Sequence, residues 1–556
     1  MQSVTRTLRA AYRQTPVVRR NFQRYNSTTT STSDKKVYSK WKLIKTTAKL
    51  GAAGFVGYTF YTMYKHLHPT MDPIPSDPNK KTIVVLGSGW ASTSFLKAID
   101  TNLYNVVVVS PRNYFLFTPL LPSCTVGTLD FRSLVEPIRF ITRHKANEVK
   151  VYEAECTEIN ATKKEITIVD NSEIKGESAT STIAYDYLVL GVGAQSQTFG
   201  IKGVEEYGCF LKEVWDAQKI RTKLMDCIET AAFPGQSQEE IERLLHMVVV
   251  GGGPTGVEYA AELHDFLVDD LTAWYPGKFY KFIDAYIPHP SLSLSLSSFF
   301  LYAELAGKVK ITLVEAMPNV LPAFSKQLID YTESTFKEQH IDIHTKTMVK
   351  EVKEKEIVVQ RPDGKVDAIP YGLLVWATGN TSRPLVKNLM AQYPEAQNVR
   401  RGLVVDDWLR MSGTQDIYAL GDCTATKYAP TAQVAAQQGK YLARVFAQLH
   451  ATEHYEAEIE NAATEEEKAK KLRKLQKAQD IKPFHYSHQG SLCYIGSDKA
   501  IADLPLGPGN LASGGVATFA FWRSAYISNI FSARNRWLVI TDWTKKTFWG
   551  RDISRE

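Results

Sequence analysis

Two short glycine-rich segments contain the residues best suited to chemistry in this chain. The apolar run Thr82–Leu86 ends at Gly87-Ser88-Gly89, and the apolar run His246–Val250 ends at Gly251-Gly252-Gly253. Glycines between a strand and a helix let backbone amides and the positive end of the helix face a pyrophosphate group. One such segment is a weak signal. Two in one chain predict two dinucleotides, a flavin and a nicotinamide, that exchange electrons.

The first segment predicts the flavin site. Gly87 permits a tight turn and Gly89 a close approach of the pyrophosphate, while Ser92 takes the place of the usual third glycine or alanine. After the next apolar run, 106–109, comes Ser110, where an acidic residue would commonly bind the ribose hydroxyls. Ser110 or Arg112 is predicted to make that contact instead. The FAD contacts predicted here are Gly87, Ser88, Gly89, Ser110 and Arg112.

Two later apolar runs also end at small residues. Residues 185–190 lead into glycines and Ala194, and residues 417–420 lead into Gly421 and Asp422. The Asp422 carboxylate, at the end of a strand, can accept a hydrogen bond from a ribityl hydroxyl, although Gly-Asp is also a common turn. Ala194, Gly421 and Asp422 are therefore added to the predicted FAD contacts.

The second segment matches the dinucleotide fingerprint fully and predicts the nicotinamide site. The next strand-like run ends at Glu315, whose carboxylate would accept from a ribose 2′-hydroxyl and repel a 2′-phosphate, so NADH is predicted over NADPH. Glu315 follows Gly251 by 64 residues instead of about 20. Residues 277–303 therefore look like an insertion or a gene-model artefact. The predicted NAD contacts are Gly251, Gly252, Gly253, Gly256, Glu315, Gly379 and Asn380.

Strands followed by helices must position all these residues, which predicts an α/β fold with two Rossmann-like dinucleotide-binding domains. The six cysteines form no closely spaced pair, which argues against a zinc site and a dithiol centre, so no metal site is predicted. Residues 1–49 contain twelve Lys or Arg and one acid, a net +11, so the remaining residues sum to −4. The basic balance is therefore local, and bulk charge gives no support for nucleic-acid binding.

The N-terminus predicts targeting and anchoring. Residues 1–33 contain six arginines, many Ser and Thr and no acid, as in a mitochondrial presequence, although a basic tail is the alternative. The uncharged run 50–64 predicts a transmembrane helix if it extends back to Thr46 and Lys49 reaches the interface. Six lysines precede this run and Lys65 follows it, which predicts a catalytic body facing the intermembrane space.

The C-terminal residues predict membrane docking. Residues 516–549 interleave nine aromatic side chains with Arg and Lys, which suits an amphipathic helix in the membrane interface; an aromatic core helix pair is the alternative. Residues 455–479 are predicted to form a charged, solvated helix instead.

The order of the motifs resembles one known family. The segments GSGWAS at 87–92, GVGA at 191–194, GGGPTGVE at 251–258, WATGN at 376–380, GD at 421–422 and AQVAAQQ at 432–438 are similar to the type II NADH:quinone oxidoreductases. These are the alternative NADH dehydrogenases of fungal and plant mitochondria. The resemblance runs from about Lys81 to Arg551. It implies an FAD domain interrupted by an NAD domain, noncovalent FAD, NADH as donor, ubiquinone as acceptor, no proton pumping, and a homodimer.

The resemblance also implies roles for single residues. Gln433 and Gln437 match residues that line the quinone headgroup site, and they lie in a helix expected to begin after Pro430. Glu258 matches a carboxylate near nicotinamide and flavin, which positions the cofactor or relays a proton. Thr118 and Ala432 match positions beside the flavin.

The expected division of the chain follows from the motifs and the resemblance. It comprises a presequence (1–33), an anchor and linker (34–78), the FAD domain in two parts (79–210 and 381–480), the NADH domain (211–380) and the docking region (481–556). Three other functions remain open: a disulfide reductase, a sulfide:quinone oxidoreductase, and a flavoprotein resembling the apoptosis-inducing factors that acts through partners. The first two would need redox cysteines, and the last leaves AQVAAQQ and the aromatic C-terminus unexplained.

Overall fold

The computed structural model describes residues 74–174, 176–271, 309–506, 509–552 and 554, with a few positions between 54 and 68. Contacts divide the chain into two units, Met1–Tyr64 and Lys65–Glu556. The predicted presequence, most of the anchor and the insertion 277–303 lie outside the described residues. Within the described part, no helix has both the length and the apolar character needed to cross a membrane.

The second unit alternates strands and helices. The strands are β1 (Thr82–Leu86), β2 (Asn105–Ser110), β3 (Tyr114–Leu116), β4 (Val135–Pro137), β5 (Val149–Glu153), β6 (Glu155–Asn160), β7 (Glu165–Val169), β8 (Thr180–Ala184), β9 (Tyr187–Leu190), β10 (Ala194–Ser196), β11 (Cys209–Phe210), β12 (His246–Val250), β13 (Lys310–Val314), β14 (Ile341–His344), β15 (Met348–Val352), β16 (Glu356–Gln360), β17 (Val366–Pro370), β18 (Leu373–Trp376), β19 (Asn380–Ser382), β20 (Ile417–Ala419), β21 (Ser491–Tyr494), β22 (Ala500–Leu506) and β23 (Gly509–Gly515). The α-helices are α1 (Trp90–Ala98), α2 (Leu121–Cys124), α3 (Ile138–Thr142), α4 (Val204–Tyr207), α5 (Val214–Ala232), α6 (Gln238–Leu244), α7 (Pro254–Phe266), α8 (Lys326–Glu338), α9 (Pro384–Ala391), α10 (Ala432–Glu460), α11 (Glu465–Gln479), α12 (Val516–Asn529) and α13 (Ala533–Trp549).

Two five-stranded parallel sheets form the centre of the unit. The first has the order β20-β9-β1-β2-β5, and the second has the order β11-β18-β12-β13-β14. Every residue of β2 is buried, as expected for a strand covered on both faces of a parallel sheet. Strand β20 comes after all strands of the second sheet in the sequence, but it pairs with β9 of the first sheet. The chain therefore leaves the first sheet, forms the second and returns to the first.

Smaller antiparallel sheets join and cover these centres. A short ribbon of β10 and β19 pairs the segment leaving the first sheet with the segment leaving the second. Each large sheet has a three-stranded companion, β6-β7-β8 or β15-β16-β17. The last sheet, β21-β22-β23, packs against α7 and α12.

The helices near the C-terminus differ in part from the sequence prediction. The charged helix predicted over 455–479 is divided into the end of α10 and all of α11, because the Thr464 side chain accepts a hydrogen bond from the Glu467 amide and caps a new helix. The aromatic segment forms two helices, α12 and α13. Phe519, Trp522 and Trp543 are buried in them, as the aromatic-core alternative expects, while Trp537 and Phe548 are exposed, and membrane docking stays a prediction.

Candidate active site

One cavity of about 1650 Å³ collects most of the predicted site residues. Sites for single ligands usually occupy about 300–1,000 Å³, so this cavity has room for more than one ligand. Every residue predicted to contact FAD lines it, namely Gly87, Ser88, Gly89, Ser110, Arg112, Thr118, Ala194, Gly421, Asp422 and Ala432. The cavity is also lined by Glu258 of α7, by Gly379 and Asn380 after strand β18, and by Gln433 and Gln437 of α10. Segments from both large sheets and the AQVAAQQ helix therefore meet at one space.

The first glycine loop leaves an open cradle at the start of α1. Gly87 has a φ of +97°, and a Cβ there would lie 2.5 Å from the Gly191 carbonyl oxygen, so only glycine fits. Gly89 is the N-cap of α1 without a side-chain cap, and a Cβ there would meet nothing within 4 Å. The first-turn amides therefore remain available to an anion such as a pyrophosphate.

Ser92 fits at the third position of this loop because a glycine faces it. Its side chain is fully buried, and its hydroxyl donates to the Leu86 carbonyl oxygen at 3.3 Å. A Cβ on Gly191 would lie 2.1 Å from the Ser92 Oγ. Gly191, directly after strand β9, has no side chain and leaves the space that the Ser92 hydroxyl occupies. A serine can therefore replace the usual glycine or alanine at the third position of the loop.

A partly buried ion pair in the cavity wall joins Arg112, after strand β2, to Glu213, before helix α5. The Arg112 guanidinium bonds to the Glu213 carboxylate, which begins α5, and Arg383 lies 4.0 Å from the same carboxylate. Burial raises the pKa of Glu213, and the two arginines oppose that shift. Arg112, predicted as an adenosine contact, is therefore held in place by a partner that no sequence motif marks.

Lys212 makes a second bridge across the same wall. Its Nζ donates to the Asn380 Oδ1 at 2.8 Å, so it ties the start of α5 to strand β19. Burial lowers the pKa of Lys212, while the neighbouring Asp422 opposes that shift. Burial likewise raises the pKa of Asp422, and Lys212 is the strongest opposing charge.

The second glycine loop lies at the edge of this arrangement. Pro254 and Thr255 of α7 line the cavity, whereas Gly251, Gly252, Gly253, Gly256 and Glu315 do not. Gly253 is the N-cap of α7 without a side-chain cap and has open space at its Cβ position. The Glu315 carboxylate accepts hydrogen bonds from the amides of Gly252 and Met317. The residue predicted to bind the ribose therefore lies directly beside the loop, although Glu315 follows Gly251 by 64 residues in the sequence.

Glu258 is a buried carboxyl group on the cavity wall. It lies in the first turns of α7, and its Oε1 accepts a hydrogen bond from the Tyr494 amide at 3.1 Å. Burial raises the pKa of Glu258 to about 8. At neutral pH this carboxyl therefore holds a proton beside the cavity.

The amide groups of Gln433 and Gln437 are engaged by the segment that leads into β21. The Gln433 Nε2 donates to the Gly490 carbonyl oxygen at 2.8 Å, and its Oε1 accepts from the Tyr486 hydroxyl at 3.0 Å. The Gln437 side chain makes a reciprocal pair with the Ser487 backbone, at 2.8 and 3.0 Å. Both glutamines line the cavity, as the resemblance implies, but they also fasten the C-terminal region to α10.

Aromatic side chains form the remaining wall. The Trp90 indole donates to the Thr118 hydroxyl at 3.0 Å and packs against Phe117 and Phe531. Phe531 lies between α12 and α13, and Tyr526 of α12 also lines the cavity. The predicted membrane-docking region therefore builds part of the site.

Two family models account for most of the chain. The model of the pyridine nucleotide-disulphide oxidoreductases matches residues 81–439, and the model of the NDH2 C-terminal domain matches residues 488–552. The external alternative NADH-ubiquinone oxidoreductase of Yarrowia lipolytica mitochondria is 50% identical over 544 residues, covering 94% of this chain and 88% of that protein. This chain is a type II NADH dehydrogenase. The sequence-based resemblance is thus confirmed.

Other members of the type II NADH dehydrogenases agree. The external NADH-ubiquinone oxidoreductase 2 of Saccharomyces cerevisiae mitochondria is 43% identical, covering 93% of this chain and 91% of that protein. The structure of NDH2 from Plasmodium falciparum in complex with NADH has a TM-score of 0.71 and 29% identity, covering 86% of this chain and all of that one. The α/β dinucleotide-binding fold is therefore confirmed together with the family.

Several residues of this type II NADH dehydrogenase site escaped the sequence analysis. Lys212, Glu213 and Arg383 stand in no recognisable motif, and Tyr486 and His488 lie in a segment without a periodic pattern. Their position in the chain could have indicated the first three: Lys212, Glu213 and Arg383 lie where the chain passes from one large sheet to the other.

Proposed function

We propose that this protein oxidises NADH and reduces ubiquinone, using FAD held noncovalently in the cavity. The observation that carries the proposal is that one space is lined by the first glycine loop, by Gly379 and Asn380 after the second sheet, and by Gln433 and Gln437. A flavin, a nicotinamide and a quinone headgroup can meet there. The names of the fungal relatives, which are NADH-ubiquinone oxidoreductases, support the same reaction.

The residues present fit FAD. The open space at Gly89 and the uncapped first turn of α1 suit its pyrophosphate, and Asp422 suits a ribityl hydroxyl. The chemistry that FAD supplies when bound is the acceptance of a hydride from NADH and the transfer of two electrons to a quinone. The N-terminus of α10, with Ala432 at its first position, favours negative charge in its vicinity.

The remaining residues bind and orient the substrates. The first turn of α7 holds the NADH pyrophosphate, and Glu315 holds a ribose hydroxyl. Glu258 keeps a proton at the cavity wall because burial favours its neutral form. The aromatic wall of Trp90, Phe117 and Phe531 excludes water from the reacting groups.

A sulfide:quinone oxidoreductase is disfavoured by the cysteines. All six are free and buried. Burial raises the pKa of each thiol, which disfavours the thiolate that redox chemistry needs. The solved sulfide:quinone oxidoreductase of Aquifex aeolicus shares the fold alone, at 16% identity and a TM-score of 0.55.

The place of action follows from the relatives and the termini. The protein acts in mitochondria, because its fungal relatives are named mitochondrial enzymes. We propose that it lies on the inner membrane with its body facing the intermembrane space. The lysines before residue 50 and the exposed aromatics Trp537, Phe548 and Trp549 support this orientation and docking.

The division into domains and the dimer also belong to the proposal. The two large sheets support an FAD domain at 79–210 and 381–480 with an NADH domain at 211–380, and a docking region at 481–556. A homodimer through the C-terminal region is expected. Light scattering of the detergent-solubilised protein measures its mass, and a monomer would contradict the dimer.

The test is NADH oxidation by intact mitochondria that contain this protein, with rotenone and a ubiquinone analogue present and NADPH as the control. Rapid oxidation of external NADH is expected, and deletion of the protein abolishes it. Activity that appears only after the inner membrane is permeabilised would keep the reaction but overturn the orientation. A purified, FAD-loaded protein that binds NADH but does not reduce the quinone would instead favour a role through partners.

A further inference from the structure

Some of the polar groups around Gln433 and Gln437 can donate only a hydrogen bond to a quinone, whereas others can donate a proton. The Gln433 Oε1 already accepts from the Tyr486 hydroxyl and from the Gln489 amide, and Gln437 is paired with the Ser487 backbone. A carboxamide can donate a hydrogen bond but has no acidic proton at neutral pH. The glutamines can therefore orient a quinone oxygen, but they cannot protonate it.

Two side chains next to Gln433, those of Tyr486 and His488, can protonate a quinone oxygen. The Tyr486 hydroxyl lies 3.2 Å from the His488 Nδ1, and both residues line the cavity. Tyr486 is half-buried and packs against Tyr428, whereas His488 is exposed to solvent. The Tyr486 hydroxyl donates to Gln433, so its lone pairs are free to accept a proton from His488. A line of transfer therefore runs from solvent through His488 to Tyr486, whose hydroxyl can turn from the Gln433 Oε1 to a quinone oxygen in the cavity.

We propose that Tyr486 and His488 deliver the solvent proton that quinone reduction consumes. This inference rests on the proposed function, since it concerns the quinone bound beside Gln433. As the quinone oxygen gains its share of the electron pair supplied by NADH, the Tyr486 O–H bond breaks and a new O–H bond forms on that oxygen. The His488 imidazolium then passes its proton to the tyrosine oxygen, and the exposed ring regains a proton from water.

The proton count agrees with the reaction. NADH brings two electrons and one proton equivalent as hydride, and reduction of a quinone to a quinol needs two electrons and two protons. The second proton must come from the medium. An imidazole ring can accept a proton on one nitrogen and donate one from the other, which suits the exposed His488 to pass on that proton.

Other titratable groups that line the cavity come from different elements. Among them, Lys427 and Tyr428 come from the loop before α10, Lys440 from α10, Tyr526 from α12 and Glu258 from α7. Glu258 lies beside the Tyr494 amide, whereas Tyr486 bonds to Gln433. The proposed route is therefore separate from the Glu258 carboxyl in its contacts.

The test compares two electron acceptors in the full-length, FAD-loaded protein. Ubiquinone analogues take protons when reduced, and ferricyanide does not. For Tyr486→Phe and His488→Gln we expect about a hundredfold loss of kcat with the quinone, unchanged turnover with ferricyanide, and a KM for the quinone within about twofold of wild type. The matched control is His485→Gln, an exposed neighbour that does not line the cavity.

Further readouts separate proton delivery from a structural role. In stopped-flow absorbance, reduction of the flavin by NADH should keep its rate, and reoxidation by quinone should slow. Quinone turnover by wild type should show a solvent deuterium isotope effect, and that effect should change in His488→Gln and Tyr486→Phe but not in His485→Gln. Equal losses with quinone and ferricyanide, or wild-type kcat in Tyr486→Phe, would overturn the inference. Absence of quinone turnover in wild type would instead overturn the proposed function.

Discussion

At the scale of single residues, we expect Glu315 to decide which nicotinamide dinucleotide is accepted. Its carboxylate accepts hydrogen bonds from the Gly252 and Met317 amides, beside the second glycine loop, where it is predicted to repel a 2′-phosphate. Glu315→Gln removes the negative charge, so we expect the preference for NADH over NADPH in kcat/KM to fall by about tenfold. Steady-state kinetics with both dinucleotides measures it.

The control for this substitution is Asp342→Asn on the adjacent strand β14, where an exposed carboxylate pairs with Lys310 at 3.3 Å. It should leave the preference unchanged. A wild-type protein that prefers NADPH would contradict the prediction.

Glu258 makes stability depend on pH. Its pKa is raised to about 8 in the folded protein, so between about pH 4.5 and pH 8 the folded state holds a proton that the unfolded state has released. Stability must therefore fall as the pH rises through this range. Glu258→Gln keeps an acceptor for the Tyr494 amide and removes the titration, so its unfolding midpoint should exceed that of wild type by a few degrees at pH 8.

Thermal unfolding of both proteins at pH 5 and pH 8 tests this difference. Glu338→Gln, at an exposed carboxylate of α8, serves as the control and should follow wild type at both values. Parallel pH profiles for Glu258→Gln and wild type would refute the assignment.

At the scale of secondary structure, the contact between α1 and α10 sets the geometry of the flavin site. The two helices approach closely at Gly439, where a Cβ would lie 2.2 Å from the Ala91 carbonyl oxygen. Gly439→Ala must push the helices apart, at a cost of about 1–3 kcal/mol, and so tilt the start of α1. We expect a lower unfolding midpoint and weaker retention of FAD, measured by flavin fluorescence after dialysis.

Gly176→Ala is the matched control, since a Cβ there would meet nothing within 4 Å. It should retain FAD as wild type does. Retention of FAD by Gly439→Ala at the wild-type level would show that the helices can separate without moving the cradle.

At the scale of the whole molecule, Arg551 fastens the C-terminus to the second dinucleotide-binding region. Its side chain is fully buried, donates from Nη1 to Asp270 at 2.5 Å and from Nε to the Thr128 hydroxyl at 2.8 Å, and lies 3.9 Å from Glu262. Arg551→Met leaves buried carboxylates uncompensated, so we expect a loss of about 3–5 kcal/mol in stability.

Limited proteolysis and thermal unfolding measure that loss, with release of the C-terminal segment expected first. Lys545→Met, at an exposed lysine of α13, is the control. If Arg551→Met kept the wild-type midpoint and cleavage pattern, the tail would be held by its other contacts.

The exposed aromatics of α13 provide a second prediction at this scale. Phe548 and Trp549 are neighbours in sequence and both more than two-thirds exposed, so together they present an apolar surface larger than a single exposed side chain does. Replacing both with serine should weaken flotation with liposomes more than tenfold and leave NADH:ferricyanide turnover unchanged. Phe233→Ser, at an exposed position after α5, should float as wild type does. Equal flotation of all variants would exclude docking through α13.

The sequence by itself determined the two glycine loops, the strands before them, Glu315 and the family. These features are local: a turn, a strand end and a helix start are dictated by a few consecutive residues, and their order along the chain sufficed for the resemblance. The insertion between Gly251 and Glu315 did not obscure the match, because parallel pairing of β12 with β13 restores their proximity.

Only the tertiary structure decided which residues complete the cavity. The bonds Arg112–Glu213, Gln433–Tyr486 and Glu258–Tyr494 join residues 101, 53 and 236 positions apart. No periodicity or spacing encodes such pairs, since they arise when the second sheet and the C-terminal region fold back onto the first. The same return of the chain places α12 in the cavity wall, so a segment for which the sequence predicted membrane docking or core packing also lines the site.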